Sequence, residues 1–592
     1  MRLASLRIGS SKLGDKQRFK NLKDVSIDFD KNEWITVVIG WNGTGKSNVL
    51  EALATLFRDL IMGKDQWGNK DRPSFSFVVR YFCHGKEIEI DADPDRPGSY
   101  YLISYRECNV DADADADADA DVSHTQSVIE YEELEVGKLQ SIKFSEFKKQ
   151  QDLFVPKYVF GYYSGHSSRL QDVFRPYLQQ YDKKLRNPKS EDPGLRRLFY
   201  ALPVHSQFVL LAFVLQQDDL VQAFLDTQLG LDTNSESESI DSVLLVLNEP
   251  SWNLNKNKNP KGEYGACKDN PDVFWGAEGV VRKFLDRVHK VSIAPIRNSR
   301  KDDSTFWNTT NREYVYLFIK DLSCLADLVG GQKPREFFRD LESTYVSELI
   351  SEVRIRVKLK KNDGSVTFRE LSEGEQQLLT VLGLLRFTAE DESLFLLDEP
   401  DTHLNPKWSV DYIDYLNKFS ASGSAHENSS HIVLTTHNPI AIAELKQQQV
   451  QILHRDIESR AISSHQPEFD PRGMGYAGII TSDMFGLPSS VDQRTQRRLE
   501  IYRALASIKQ RTVIQELRFK VIQDWLDKDR FKLNQRDDDY QRYLEARSNI
   551  LAKQINDEDY QSLIKHALTL SSDERERLAQ EAVDAILAEE KP

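Results

Sequence analysis

The chain has 592 residues, enough for several domain-sized cores, with 40% hydrophobic and 29% charged residues, the balance of a water-soluble globular protein. A net charge of −15 excludes a surface that grips nucleic acid nonspecifically all round, so any DNA contact must use a local basic patch or a partner subunit. Cys83, Cys108, Cys267 and Cys324 lack CxxC spacing, which argues against a disulfide framework or a zinc site and fits a reducing, cytoplasmic setting. The opening MRLASLRIGS has no apolar stretch of signal-peptide type. No apolar run reaches the ~20 residues of a membrane span, and Phe208–Leu215 reads as a buried helix instead.

Residues 1–110 read as the first part of an α/β core. Val25–Phe29 alternates in strand fashion and Trp34–Ile39 is an apolar strand. Gly40–Ser47, GWNGTGKS, follows as a turn, and Lys46–Leu60 has apolar spacing of helical period. Strand, Gly-rich turn and helix together are the setting of a G-x-x-x-x-G-K-S phosphate loop. In it Gly40, Asn42, Gly43 and Gly45 shape a backbone whose N–H groups close round phosphate oxygens, and the positive end of the helix faces the same anion. Lys46 is expected to reach the β- and γ-phosphates and Ser47 to ligate Mg²⁺, with Asn48 completing the nucleotide-binding set. Phe75–Phe82 and Glu87–Ile90 continue as antiparallel strands.

Residues 111–350 read as a long insertion. Asp111–Asp121 alternates Asp with Ala, the composition of a solvated, disordered loop. A calcium loop would need a glycine turn and a closing Glu that are missing there. Lys157–Tyr163 returns as a core strand. The stretches 195–228, 278–290 and 313–350 read as helices, and Asn253–Asn270 as a loop. Without sustained heptads, a compact helical lobe is expected rather than a coiled-coil arm.

Residues 351–465 read as the second part of the core, opening with two strands around Asn362-Asp363-Gly364. Leu371–Gln377, LSEGEQQ, opens a helix. Ser372, Gly374 and Glu375 at its N-terminus would suit a γ-phosphate presented by another subunit, and the same pattern would cap the helix. The strand Ser393–Leu397 ends in Asp398-Glu399, where Asp398 is expected to hold Mg²⁺ and Glu399 to polarise the attacking water. The strand His431–His437 ends in an imidazole able to hydrogen-bond the γ-phosphate or that water. Residues 466–592 are charge-rich and helix-forming, a helical C-terminal extension that serves either as a solvated appendage or as a docking platform.

The phosphate loop, LSEGEQQ, FLLDEP and the His437 strand, in this order, resemble the ABC-type ATPase heads of the SMC, RecF and related DNA-repair families, over roughly residues 1–100 and 351–460. LDEPDTHLNP (Leu397–Pro406) and THNP (Thr436–Pro439) look especially like the AAA-type subgroup holding the OLD-family ATPases, the Septu ATPases of PtuA type and ATPases found beside restriction systems. Ile480–Ser490 is similar to the restriction-associated branch. The resemblance implies a P-loop NTPase of ABC-head type, with a mixed sheet and an inserted helical lobe, that binds ATP and Mg²⁺. It implies a homodimer, open to higher assembly, with each ATP between the phosphate loop of one subunit and Leu371–Glu375 of the other. Asp401 would sit in the segment coupling the two sites.

Two departures stand out. The Gln that usually follows the lobe strand is not evident; Tyr163–Gln171 occupies its place, with Gln171 the nearest candidate. The tail shows neither the acidic strands of a TOPRIM nuclease nor a His-Asn-His motif, so any nuclease would be a separate chain. The expected function is an ATP-driven dimeric switch in a bacterial anti-phage or restriction-like system, gating an effector nuclease, with or without DNA contact. A RecF- or SMC-like repair ATPase is the same-fold alternative, and a low-turnover nucleotide-binding scaffold another. A transporter ATPase fits poorly, because ~300 residues separate Ser47 from Leu371.

Overall fold

The computed structural model describes the chain except residues 109–137, 188–191, 216–217, 232–239, 255–273, 304–308, 361–364, 389–391, 422–429, 457, 488, 509, 529–537, 556–559, 571 and 590–592. The Asp-Ala alternation, Cys267, most of the expected 253–270 loop and the Asn362-Asp363-Gly364 turn lie outside the described residues.

Strands β1 (Arg2–Ile8) and β2 (Val25–Asp28) precede β3 (Ile35–Gly40). β4 (Phe77–Cys83), β5 (Lys86–Ala92), β6 (Tyr101–Glu107) and β7 (Gln140–Ile142) join the first two in an antiparallel sheet ordered β2-β1-β4-β5-β6-β7. β8 (Tyr158–Tyr163) and β9 (Leu198–Tyr200) are parallel neighbours. β10 (Ile240–Asn248), β11 (Ile293–Asp303), β12 (Thr309–Ile319), β13 (Ile350–Lys358) and β14 (Ser365–Thr367) form a second antiparallel sheet, ordered β11-β12-β10-β13-β14. β15 (Ser393–Asp398), β16 (His431–Thr435), β17 (Val450–Arg455) and β18 (Ile462–His465) complete a third, ordered β18-β17-β3-β16-β15-β8-β9. This last sheet is parallel apart from the β17–β18 pair.

The helix Lys46–Met62 explains how the first and third sheets come together. Its sequence VLEALATLF is apolar on every side, and every residue from Val49 to Leu60 is buried, as a helix enclosed on all sides requires. Its side chains share one core with Leu3 and Leu6 of β1, Val79 and Tyr81 of β4, and Leu394 and Val433 of β15 and β16. His431 ties the same sheets by polar contacts. Its Nδ1 accepts the Leu3 N–H at 2.9 Å and its Nε2 lies 3.1 Å from the Thr36 hydroxyl. Burial pushes the imidazole well below its ordinary pKa, so it stays neutral and can serve as acceptor at one nitrogen and donor at the other.

The helical lobe expected in the insertion also contains strands. Residues 313–319 belong to β12, and Leu198–Tyr200 is a strand within the 195–228 stretch. From Val315 to Ile319 burial alternates with a period of two, and Tyr, Val and Phe suit a pleated, half-buried surface. A short apolar run of this kind cannot be told from a helix segment by periodicity alone. The helices expected at 208–215 and 278–290 are present as Val204–Leu215 and Gly279–Val291.

Cysteine spacing argued against a metal cluster, yet folding brings Cys83, His84 and Glu392 to within 4.8 Å of one another. The Glu392 carboxylate already has partners: both oxygens accept the His84 N–H at 2.8 Å, and the Met1 amino group lies 3.2 Å away. No metal is assigned there.

Two compact units divide the chain. One is Met1–Ala441 with Gln448–His465 and holds all three sheets; the other is Ile442–Gln447 with Gln466–Pro592. The second contains the helices Gly475–Thr481, Gln493–Ala506, Val513–Lys528, Asp538–Ile555, Tyr560–Thr569 and Ser572–Glu589. Leu499, Tyr502, Leu505, Phe519 and Leu526 form one of its apolar cores, and Leu551, Leu563, Ala567 and Leu578 another.

A buried ionic network pins the helix Pro334–Val346 inside the first unit. Glu342 meets Arg196 at 2.6 Å and His205 Nε2 at 2.5 Å, and His205 Nδ1 accepts the Leu202 N–H at 2.7 Å. Glu342→Ala would leave a buried guanidinium unpaired. Urea denaturation should show a loss of ~3–5 kcal/mol; a loss within the error of the extrapolation would mean that the network does not hold the lobe together.

Candidate nucleotide site

Register places the site. Asp398 at the end of β15 lies level with Thr435 of β16 and Tyr163 of β8, and Thr435 lies level with Val38 of β3. The carboxyl ends of four parallel strands therefore share one edge, where open α/β sheets bind ligands.

The phosphate loop leaves β3 at this edge. Gly40 has φ +147°, and a Cβ there would lie 2.5 Å from the Leu453 carbonyl oxygen of β17, so only glycine fits. Asn42 and Gly43 are exposed at the tip, and Gly45 leads into the helix. Asn21 clamps the loop from outside. Its amide donates to the Gly43 carbonyl at 3.2 Å and accepts from the Asn48 amide at 2.6 Å. No spacing rule pointed to Asn21, because only the folded chain brings it to the loop. Lys46 Nζ donates to the Gly40 carbonyl at 2.8 Å and to the Trp41 carbonyl at 3.3 Å. Burial lowers its pKa to about 8, against the raising influence of Glu399 and Asp398.

Ser47 and Asp398, distant in sequence, meet here. The Ser47 hydroxyl donates to Asp398 Oδ1 at 3.0 Å, and the Thr435 hydroxyl donates to the same oxygen at 2.5 Å. Burial pushes the Asp398 carboxyl above its usual range. Among the described residues no Lys, Arg or His lies within ion-pair distance of it. A hydroxyl and a buried carboxylate without an ion-pair partner form an oxygen donor set that fits a hard divalent cation such as Mg²⁺.

Glu399 follows with φ +51°, a left-handed conformation costly for a residue with a Cβ. The Thr435 carbonyl holds it by accepting the Glu399 N–H at 3.1 Å. His437 Nε2 lies 3.3 Å from Glu399 Oε1, and this hydrogen bond keeps the Glu399 carboxyl below its usual range. Both side chains remain partly open to solvent. Such backbone strain clusters where a side chain must be aimed. Asp401 is buried, which raises its pKa, and accepts from the Thr436 hydroxyl at 2.7 Å; Thr436 in turn accepts the Asn438 N–H at 2.8 Å.

The signature helix, Glu373–Thr388, packs on the loop after Glu399. A Cβ on Gly374 would lie 2.5 Å from the His403 carbonyl oxygen, and the Gln377 amide donates to the Pro400 carbonyl. Ser372 and Glu375 form a capping box, in which the carboxylate accepts from the Ser372 N–H at 2.6 Å and from its hydroxyl at 2.9 Å. Among the described residues no hydrogen bond or ion pair joins Ser372, Gly374 or Glu375 to the phosphate loop. The structure thus brings together the phosphate loop, Asp398, Glu399 and His437, and leaves the signature residues apart from them.

The segment after β8 also differs from its sequence reading. A small cleft beside Ser47 and Asp398 is lined by Glu51, Tyr163, Ser167, Arg169 and Leu170; Gln171 is not among its lining residues. Arg169 escaped the sequence reading because a lone Arg two positions before the expected Gln carries no motif.

Comparison with known proteins agrees with this geometry. A family described as "AAA ATPase domain" matches residues 17–164, and one described as "AAA domain, putative AbiEii toxin, Type IV TA system" matches residues 270–443. Septu protein PtuA of Bacillus mycoides (strain KBAB4) is 25% identical over 215 residues, which cover 34% of this chain and 28% of PtuA. The probable peptide export ATP-binding protein YydI of Bacillus subtilis (strain 168) is 29% identical over 99 residues, 17% of this chain and 44% of YydI. The matches therefore span less than half the length of either relative. One matched segment carries the phosphate loop and the other carries LSEGEQQ, Asp398-Glu399 and His437, so both halves of the site fall in segments similar to AAA-type ATPase domains.

Proposed function

We propose that this chain hydrolyses ATP with Mg²⁺ as an ABC-head-type dimer and acts as the ATP-driven switch of a bacterial anti-phage system, controlling a separate effector nuclease. The convergence of Ser47, Asp398, Glu399 and His437 at the end of one sheet carries this reading. Mg²⁺ held beside Ser47 and Asp398 would neutralise phosphate charge. Lys46 and the N–H groups of Gly40–Gly45 bind the phosphates. Glu399, with its carboxylate kept ionised by His437, orients the attacking water and accepts its proton.

Support for the dimer comes from the signature residues. Ser372 is exposed at a helix N-terminus, a ready anion site, yet among the described residues no hydrogen bond joins it to the phosphate loop of its own chain. A second copy would bring the two together. Support for the defence setting is the partial likeness to Septu protein PtuA. Among the described residues no helix is long and apolar enough to cross a membrane.

Glu399→Gln should lower steady-state ATP hydrolysis at least ~100-fold while ATP shifts the variant to a dimer in light scattering. Wild-type protein with neither hydrolysis nor ATP-dependent association would instead leave a nucleotide-binding scaffold. Stimulation of the wild type by DNA would mark direct sensing, and its absence control through a partner.

Lys46 generates a pH test. With its pKa near 8 in the free protein, the cationic form that binds phosphate prevails below pH 8 and is lost above it. ATP affinity should therefore fall as pH rises, roughly 25-fold between pH 7.5 and 9.5 if bound phosphate keeps the lysine charged. Fluorescent-nucleotide titrations measure this, and a flat profile would exclude Lys46 as the titrating phosphate ligand.

A further inference from the structure

The loop after β8 runs directly past the reacting end of the proposed site. It leaves the sheet level with Asp398, and the Ser164 N–H donates to the Asp398 carbonyl at 3.3 Å. It ends at Arg169, the first residue of the helix Arg169–Leu185, and Arg169 shares the walls of one cleft with Ser47 and Asp398.

The guanidinium of Arg169 is under-used where it stands. Its Nε donates to the Ser167 hydroxyl at 3.1 Å, and among the described residues no carboxylate lies within ion-pair distance. The nearest acid along the helix is engaged elsewhere: Asp172 pairs with Arg175 at 2.7 Å through one oxygen and accepts from the Ser168 hydroxyl at 2.9 Å through the other. A cation in the first helical turn is also opposed by the helix dipole. An arginine held against that field, without an ion-pair partner among the described residues and in the cleft of a hydroxyl–carboxylate pair suited to a metal, has the chemistry to take phosphate oxygens.

We infer that Arg169 is a catalytic residue supplied within the same chain, whose guanidinium binds the γ-phosphate oxygens and stabilises the charge that grows there during hydrolysis. The inference rests on the proposed ATPase reading. In the step it serves, the water oxygen bonds to the γ-phosphorus and its proton passes to Glu399. The bond from the γ-phosphorus to the β–γ bridging oxygen breaks, with the electron pair left on ADP. Arg169 exchanges no proton and adds positive charge on the side of the phosphate next to Asp398. It occupies the place that the sequence assigned to Gln171.

The test compares Arg169→Ala and Arg169→Lys with wild type and Glu399→Gln in full-length protein. Arg169→Ala should lower kcat by ~100-fold or more, keep ATP binding within a few-fold in fluorescent-nucleotide titration, and lose trapping of ADP with orthovanadate. Arg169→Lys should recover part of kcat, and thermal unfolding of both variants should match wild type. If Glu399→Gln abolishes hydrolysis while Arg169→Ala keeps wild-type kcat and vanadate trapping, the assignment of Arg169 is wrong and the ATPase reading survives. If Glu399→Gln hydrolyses ATP like wild type, the underlying reading fails instead.

Discussion

A buried carboxylate with no ion-pair partner among the described residues is the constraint on which the rest of the site depends. Asp398 sits at the end of a fully buried strand, and among the described residues its side chain is hydrogen-bonded by the hydroxyls of Ser47 and Thr435. Desolvation of an ionised carboxylate is expensive unless charge is supplied. Two neutral hydroxyls lower that cost without removing it, so the fold stores a preference for a cation at one point. That preference links three segments far apart in sequence: the phosphate-loop helix, β15 and β16. It can be met only when their register is correct, and the parallel pairing of Asp398 with Thr435 and Tyr163 provides that register.

The order of the strands then decides which groups surround that point. β3 lies beside β16 and brings the phosphate loop; β8 lies on the other side of β15 and brings Tyr163 and the loop to Arg169. Asp398 is thereby flanked by a phosphate-binding backbone on one side and a cationic side chain on the other. Glu399, one residue on, is turned out by its left-handed backbone towards His437. An extended residue at this position would continue the alternation of the strand and point elsewhere. The strain at Glu399 is thus what places a base beside the Asp398 hydroxyl–carboxylate pair.

The parts of this arrangement that were legible in the sequence are those in which several functional groups sit on one short segment. GWNGTGKS, the Asp-Glu strand end and the His437 strand each bring their own local context, and the core strand at 157–163 is where the pattern put it. Asn21 and Arg169 were not legible. Each acts through a contact that exists only after the sheet has formed, and neither residue type is unusual where it stands. The strand β12 was misread for a different reason: its apolar run is compatible with a buried helix, and the cross-strand pairing that settles the matter is non-local. The grouping of Cys83, His84 and Glu392 was hidden in the same way, since Glu392 arrives from the start of β15.

On the proposed function, the loops at the sheet edge also provide a route from the dimer interface to the chemistry. The Thr402 hydroxyl donates to the Glu399 carbonyl at 2.9 Å and accepts from the Ser164 hydroxyl at 3.2 Å. One side chain thus joins the loop that carries Asp401 to the loop that leads to Arg169. The same stretch of chain supports Gly374 through the His403 carbonyl and Gln377 through the Pro400 carbonyl. A γ-phosphate that drew Ser372 of a second copy against it would press on a helix whose N-terminus rests on this loop. The contact at Gly374 leaves no room for a Cβ, so little of that displacement could be absorbed by side-chain adjustment. The loop itself would have to move, and Glu399 and Arg169, tied to it at Thr402, would move with it. Head closure and alignment of the hydrolytic groups then become one event, the property a nucleotide-driven switch needs.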